Sequence, residues 1–112
     1  MKLKETELSN GVTIIGIEER DANLSVADEF KVQILEKIAA GKHKFVFSFK
    51  KVTYVDSSFL GALVSILKSL LPVGGKVVLV DVNSNIQSLF EITRLDKVFV
   101  IENSLEHAQA HF

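Results

Sequence analysis

Residues 76–80 read Lys-Val-Val-Leu-Val, a nearly continuous and mostly β-branched apolar run. Such a run is typical of a strand buried on both faces, as in a sheet that is covered by helices. Residues 44–49 predict a second strong strand, in which Phe45, Phe47 and Phe49 fall on one face. The chain between these strands has helical periodicity, and a helix that joins two strands is the usual crossover of a parallel sheet.

Shorter segments complete an alternating order of strands and helices. Residues 2–8 and 12–17 predict a hairpin around Asn10 and Gly11, because this pair tolerates the backbone of a tight turn. Residues 18–23 are predicted as a polar loop, and residues 97–101 as a last strand. Capping side chains ahead of apolar segments predict three more helices, which begin at Asn23 or Ser25, at Asn83 or Ser84, and at Ser104.

This order predicts the α/β fold class, with a mixed, mostly parallel sheet and about four helices. The chain of 112 residues is long enough for one domain, which we expect to span residues 1–112. The predicted core consists of large apolar side chains from every main element: Phe30, Ile34, Phe45, Phe47, Leu63, Leu67, Val78, Val80 and Phe90.

The composition excludes several classes of function. The net charge is −1, so no basic field exists that would attract nucleic acid. The chain has no cysteine, which excludes disulfides and thiol chemistry. No apolar run reaches the roughly 18 residues of a membrane span, and the charged start lacks the apolar stretch of a signal peptide. We therefore expect a soluble cytoplasmic protein without membrane insertion.

The titratable residues give little sign of catalytic or metal chemistry. His107 and His111 stand four apart and could share a helix face, but no third ligand accompanies them. Two surface side chains are favoured over a metal site, and His43 is predicted to be exposed in a loop. Gly74 and Gly75 lie between a helix and a strand, whereas a phosphate loop runs from a strand to a helix. The residues alone therefore predict no metal site and give no strong sign of conventional catalysis.

Residues 52–71 hold the most informative pattern of the chain. Its apolar residues recur at the spacing of one helical face, and Asp56, Ser57 and Ser58 stand directly ahead of them. These polar side chains could simply cap the helix, since their oxygens can accept first-turn N–H groups. Alternatively, a hydroxyl there could be a phosphorylation switch, because the positive end of a helix dipole tolerates a phosphate. The spacing alone favours the cap.

Residues 52–61, Val-Thr-Tyr-Val-Asp-Ser-Ser-Phe-Leu-Gly, resemble the phosphorylation segment of bacterial anti-sigma factor antagonists, which belong to the STAS-domain family. Residues 74–79, Gly-Gly-Lys-Val-Val-Leu, are similar to the turn that leads into the family's next strand. Residues 86–95, Ile-Gln-Ser-Leu-Phe-Glu-Ile-Thr-Arg-Leu, are similar to a later family helix. The order of elements also agrees, so that the resemblance covers nearly the whole chain.

The resemblance implies a non-enzymatic adaptor, without a cofactor, that binds an anti-sigma factor, a serine kinase-like protein, and thereby releases a sigma factor. Phosphorylation at Ser57, with Ser58 as the second candidate, would switch it off, and a phosphatase would restore it. The partner face would include Asp56, Ser58, a hydrophobic surface near Phe59 and Leu60, and the loop of residues 18–24 with Asp21 and Asn23. Either Asp21 or Asn23 would match a conserved Asp of the family. We expect a monomer or a weak dimer.

Two departures from the family pattern concern glycines. Phe59 stands where the family has Gly, which alters the surface that a partner would meet unless the ring turns inward. Arg94 replaces the family's Gly at the end of the later helix.

The main alternative is a STAS module that binds partners without being phosphorylated. A hydrolase with Ser57 as nucleophile would need a base that the sequence does not place there, and a nucleotide-binding module would need a phosphate cradle.

Overall fold

The computed structural model describes residues 1–112 and contains a five-stranded sheet with helices on both faces. The strands are β1 (Leu3–Glu7), β2 (Thr13–Ile17), β3 (Asp21–Ala22), β4 (Lys44–Ser48), β5 (Tyr54–Val55), β6 (Lys76–Val80) and β7 (Val100–Glu102). The helices are α1 (Leu24–Ala39), α2 (Ser57–Leu70), α3 (Ser84–Ile92) and α4 (Leu105–Gln109). The main sheet has the order β1-β2-β4-β6-β7, and only β1 is antiparallel to its neighbour. The predicted fold class, a mixed and mostly parallel sheet with four helices, is confirmed.

The larger core lies between the sheet and helices α1, α2 and α3. Phe45 and Phe47 of β4 point into it and are fully buried, as the period of two predicts. The ring of Phe47 packs edge-on against Phe30 of α1, with ring centroids 5.4 Å apart. Six predicted core residues lie fully buried here: Phe30, Ile34, Phe45, Phe47, Leu63 and Phe90.

A second, smaller core lies on the opposite face of the sheet, under α4. Val78 and Val80 belong to this second cluster together with Ala108. The prediction that they share one core with residues such as Phe45 and Phe47 is therefore wrong. Because the sheet is covered on both sides, the whole run from Val77 to Val80 is buried, as the β-branched pattern predicts. Leu67, also predicted as core, is only partly buried.

Three local predictions are wrong. The last strand is Val100–Glu102, because Leu95–Lys97 forms a 3₁₀ turn after Arg94, whose φ of 62° is left-handed. The loop of residues 18–23 contains β3, which pairs in parallel with β5 as a separate two-stranded sheet. Two-residue strands are too short to show a hydrophobic period. His43 is half-buried rather than exposed, and its carbonyl accepts a hydrogen bond from the N–H of Lys76 at 2.8 Å.

A polar side chain caps each of the four helices by accepting an N–H of the first turn. The caps are Asn23, Asp56, Asn83 and Ser104. Asn23 and Asn83, rather than Ser25 and Ser84, thus begin α1 and α3. The helices begin where the sequence places side chains that can satisfy otherwise unpaired N–H groups.

Candidate functional site

The starts of α1, α2 and α3 meet at one end of the sheet, beyond the carboxyl ends of the parallel strands. The two oxygens of the Asp56 carboxylate join α1 to α2. Oδ1 accepts the N–H of Phe59 at 3.0 Å, and Oδ2 accepts the N–H of Leu24 at 2.8 Å. Asn83 joins α3 to the same region, because its side-chain amide donates to the carbonyl of Thr53 at 3.2 Å.

The β3–β5 pair brings the loop of residues 18–24 beside the segment that precedes α2. Asp21 lies opposite Tyr54 and Ala22 opposite Val55 in this parallel pair. The carbonyl of Arg20 accepts hydrogen bonds from the backbone of Thr53 at 2.8 Å and of Tyr54 at 3.1 Å. The sequence-predicted residues Asp21, Asn23 and Asp56 therefore fall within one surface region, although the chain separates them.

Ser57 is the first residue of α2, and it is exposed. The capping hydrogen bond of this helix is made by Asp56, so the hydroxyl of Ser57 does not serve as the cap. Ser58, the next residue, is partly buried. Of the two hydroxyls, Ser57 is the more accessible, and it lies at the positive end of a 14-residue helix dipole.

An open cleft of about 450 Å³ lies between the start of α2 and the first turns of α3. Ser57 and Asp56 line one side, whereas Ile86 and Leu89 of α3 supply apolar surface on the other. Tyr54 also borders the cleft and is 54% exposed. The arrangement presents a hydroxyl, a carboxylate and apolar side chains together, which suits contact with a protein surface.

The predicted hydrophobic surface at Phe59 and Leu60 is wrong, because both side chains are buried. Phe59 packs against Phe30, with ring centroids 4.8 Å apart, and edge-on against Phe49. The ring therefore turns inward and fills the core beneath α2. The structure instead exposes Leu24, of which 72% is accessible, and the neighbouring Tyr54. Sequence reasoning missed Leu24 as a surface residue, since a leucine at the start of an apolar helix ordinarily predicts burial.

The three histidines lie away from Ser57. His43 is at the amino end of β4, and α4 with its His107 packs on the opposite face of the sheet. Nδ1 of His107 lies 3.1 Å from the hydroxyl of Ser104, which caps α4. Nε2 of His111 lies 2.5 Å from the carboxylate of Glu102. No group of three His, Cys, Asp or Glu side chains is arranged to hold a metal ion. No helix has both the length and the apolar character required to span a membrane.

Comparison with known proteins reveals close relatives of this fold and sequence. A protein of Thermotoga neapolitana, named "Putative anti-sigma factor antagonist TM1081 homolog", is 30% identical over 96 residues, which cover 85% of each chain. The crystal structure described as "a putative anti-sigma factor antagonist" from Thermotoga maritima has a TM-score of 0.89 at 25% identity, over 97% of this chain and 92% of the other.

The anti-sigma factor antagonist SpoIIAA shares the fold at lower sequence similarity. Its unphosphorylated form has a TM-score of 0.75 at 14% identity, covering 98% of this chain and 96% of that one. Its phosphorylated form, described as a Bacillus cell fate determinant, has a TM-score of 0.74. The STAS domain family itself matches residues 4–108. Because this match spans nearly the whole chain and agrees with the architecture, the protein belongs to the STAS domain family.

Proposed function

We propose that this protein is an anti-sigma factor antagonist that is controlled by phosphorylation of Ser57. Its unphosphorylated form binds an anti-sigma factor of the serine kinase type and so releases a sigma factor. The anti-sigma factor transfers the terminal phosphoryl group of ATP to Oγ of Ser57, leaving ADP. A phosphatase later hydrolyses this ester and restores the free hydroxyl. The names of the relatives support the partner class.

The observation that carries the switch is the exposed hydroxyl of Ser57 at the start of α2, where Asp56 already performs the capping. A phosphate on Ser57 would meet the positive end of the helix, so the helix does not need to unfold. The phosphate would add close to two negative charges beside the carboxylate of Asp56. A partner that fits the neutral hydroxyl then binds less well, because the interface would have to bury an unpaired charge and make room for the added group.

The partner face consists of the surface around Ser57. Leu24 and Tyr54 provide exposed apolar area. Aromatic residues such as Tyr54 are enriched in the buried centres of protein–protein interfaces. Asp21, Asn23 and the partly buried Ser58 supply polar groups around this area. Phe59 and Leu60 support the face from beneath by packing in the core.

Pull-down experiments with purified variants test the proposal. Wild-type protein and Ser57→Ala should capture from the native host a protein with an ATP-binding kinase domain. Ser57→Asp should lower this capture at least about tenfold, since the interface would have to bury an unpaired carboxylate. Ser9→Asp is the matched control, because Ser9 is an exposed serine in the hairpin between β1 and β2, at the opposite end of the sheet, and it should leave the capture unchanged.

The proposal fails if Ser57→Asp captures the same partner as efficiently as the wild type. Circular dichroism of each variant must show retained helix content, so that loss of binding is not confused with unfolding. A partner captured equally by all variants would point to a STAS module that works without phosphorylation.

A further inference from the structure

A second groove, of about 450 Å³, lies on the other face of the sheet beside α4. It crosses β1, β2 and the end of β4, and Leu105 of α4 forms one border. Leu8, Ile14 and Leu105 are partly buried side chains that extend the smaller core to the groove. Its apolar wall is therefore continuous with the packed interior, while its mouth is open to water.

Gly16 creates the depth of this groove. The sheet register places Lys4, Gly16 and Ser48 side by side on three adjacent strands, so a side chain is missing in the middle of the row. Gly16 does not have a positive φ. A Cβ at this position would meet the Cβ of Lys4 at 3.6 Å, which is ordinary contact. Neither backbone nor packing requires glycine here. A glycine within a strand often marks a bulge, a bend, or the close approach of a ligand or another backbone, and the unbroken register on both sides excludes a bulge at Gly16.

The charge of the groove is positive. Lys4, Lys50 and Lys51 line it, and its one carboxylate, Glu18, already bonds to Lys51 at 2.9 Å. The ammonium groups of Lys4 and Lys50 form no ion pair within the chain. Hydroxyls of Thr6 and Ser48 add hydrogen-bond donors along the same surface.

We propose that this groove binds a free medium-chain fatty acid, with its carboxylate between Lys4 and Lys50 and its chain along Gly16, Ile14 and Leu105. The unpaired lysines match an anionic head, and the aliphatic wall matches an alkyl chain. No aromatic residue lines the groove, which favours an alkyl chain over a stacked base. The groove shares no lining residue with the cleft beside Ser57, and the proposal does not depend on the proposed switch.

Titration of the isotope-labelled full chain with dodecanoate, followed by amide chemical shifts, tests the site. We expect saturable binding with shifts centred on Lys4, Gly16 and Ser48. Neutral dodecanol should bind at least about tenfold more weakly, because it lacks the charge that the lysines recognise. Gly16→Val should weaken dodecanoate binding at least about tenfold while raising Tm by a few degrees, since valine favours a strand and fills the groove.

Lys4→Gln and Lys50→Gln should each weaken binding about fivefold, whereas the exposed control Lys97→Gln should change it less than about twofold. These variants keep the test decisive if Gly16→Val does not fold. Shifts centred elsewhere, equal affinity for dodecanol, or binding only to anionic phospholipid vesicles would overturn the proposal. Each of these outcomes would leave the function proposed for Ser57 untouched.

Discussion

The carboxylate of Asp56 accepts a hydrogen bond from the backbone N–H of Leu24 at 2.8 Å, although 32 residues separate the two in the chain. The same carboxylate caps α2 through the N–H of Phe59. One side chain thus fixes the starts of two helices relative to each other, directly beside Ser57. The rigidity of the proposed partner face depends on this residue.

Asp56→Ala should lower the free energy of unfolding by about 2 kcal/mol, because two first-turn N–H groups lose their acceptor. Asp56→Asn should cost about half as much, since its amide oxygen can still accept the N–H of Phe59. Urea denaturation measures both. The control is Asp28→Ala, whose side chain is 97% exposed, and it should change stability by less than about 0.5 kcal/mol. Equal losses for Asp56→Ala and Asp28→Ala would contradict the bridging role.

Phe59→Ala should lower the free energy of unfolding by about 3–5 kcal/mol, because it empties a fully buried position between Phe30 and Phe49. Leu24→Ala should leave stability nearly unchanged, since this side chain is 72% exposed, but it should weaken partner capture. Chemical denaturation and pull-down separate the two effects. A stable Phe59→Ala variant would show that the ring belongs to the surface.

Thr13→Val should raise the free energy of unfolding by about 1 kcal/mol. The hydroxyl of Thr13 is buried in the sheet and has no hydrogen-bond partner, and a methyl group of the same shape avoids this desolvation penalty. Thr6→Val, on the exposed strand β1, is the comparison and should have a smaller effect. A lower stability of Thr13→Val in urea denaturation would indicate that a buried water satisfies the hydroxyl.

Arg94→Gly should raise the free energy of unfolding by about 1 kcal/mol, because Arg94 has a left-handed φ of 62° and glycine adopts this conformation without strain. This position is where the family resemblance implies glycine. Glu91→Gly, within α3, should instead lower stability by about 1 kcal/mol. Thermal and urea unfolding give the comparison, and a loss of stability in Arg94→Gly would refute the strain.

Glu5 gives the stability a defined pH dependence. The hydrogen bonds from Lys37 and Lys42 hold the pKa of Glu5 below its usual value of 4.5. The resulting stabilisation is complete above pH 4.5 and is lost as the pH falls through the folded-state pKa. This stabilisation should stay below about 1 kcal/mol, because Glu5 and the two lysines interact near the surface.

The difference in stability between the wild type and Glu5→Gln should therefore be present at pH 7 and vanish in strong acid. Glu36→Gln, an exposed residue without an ion pair, is the control. Urea denaturation across the acid range measures both differences. A Glu5→Gln effect that is independent of pH would exclude the ionised pair as its source.

The main elements could be predicted because their signals are local. Phe45 and Phe47 alternate along β4, Phe49 directly follows it, and all three lie buried. The caps Asn23 and Asn83 stand next to the helices that they begin. Alternation follows from the two-residue period of a strand, and capping follows from the unpaired N–H groups of the first helical turn. Both signals therefore depend only on residues that are close together in the chain.

The details of the site depend on contacts between distant segments. The burial of Phe59 requires Phe30 and Phe49, and the pairing of Asp21 with Tyr54 joins two segments too short to show a period. The bridge from Asp56 to Leu24 likewise spans 32 residues. The sequence could place Ser57 at a helix start, but only the folded chain shows which apolar side chains surround it.

The most direct test of the proposed switch is the intact mass of the protein purified from its native host under phosphatase inhibition, with mapping of any modified site. We expect a fraction heavier by one phosphate, located on Ser57, whose proportion changes between growing and stressed cells. Protein that is unmodified under both conditions, or modified only at Ser58, would contradict it.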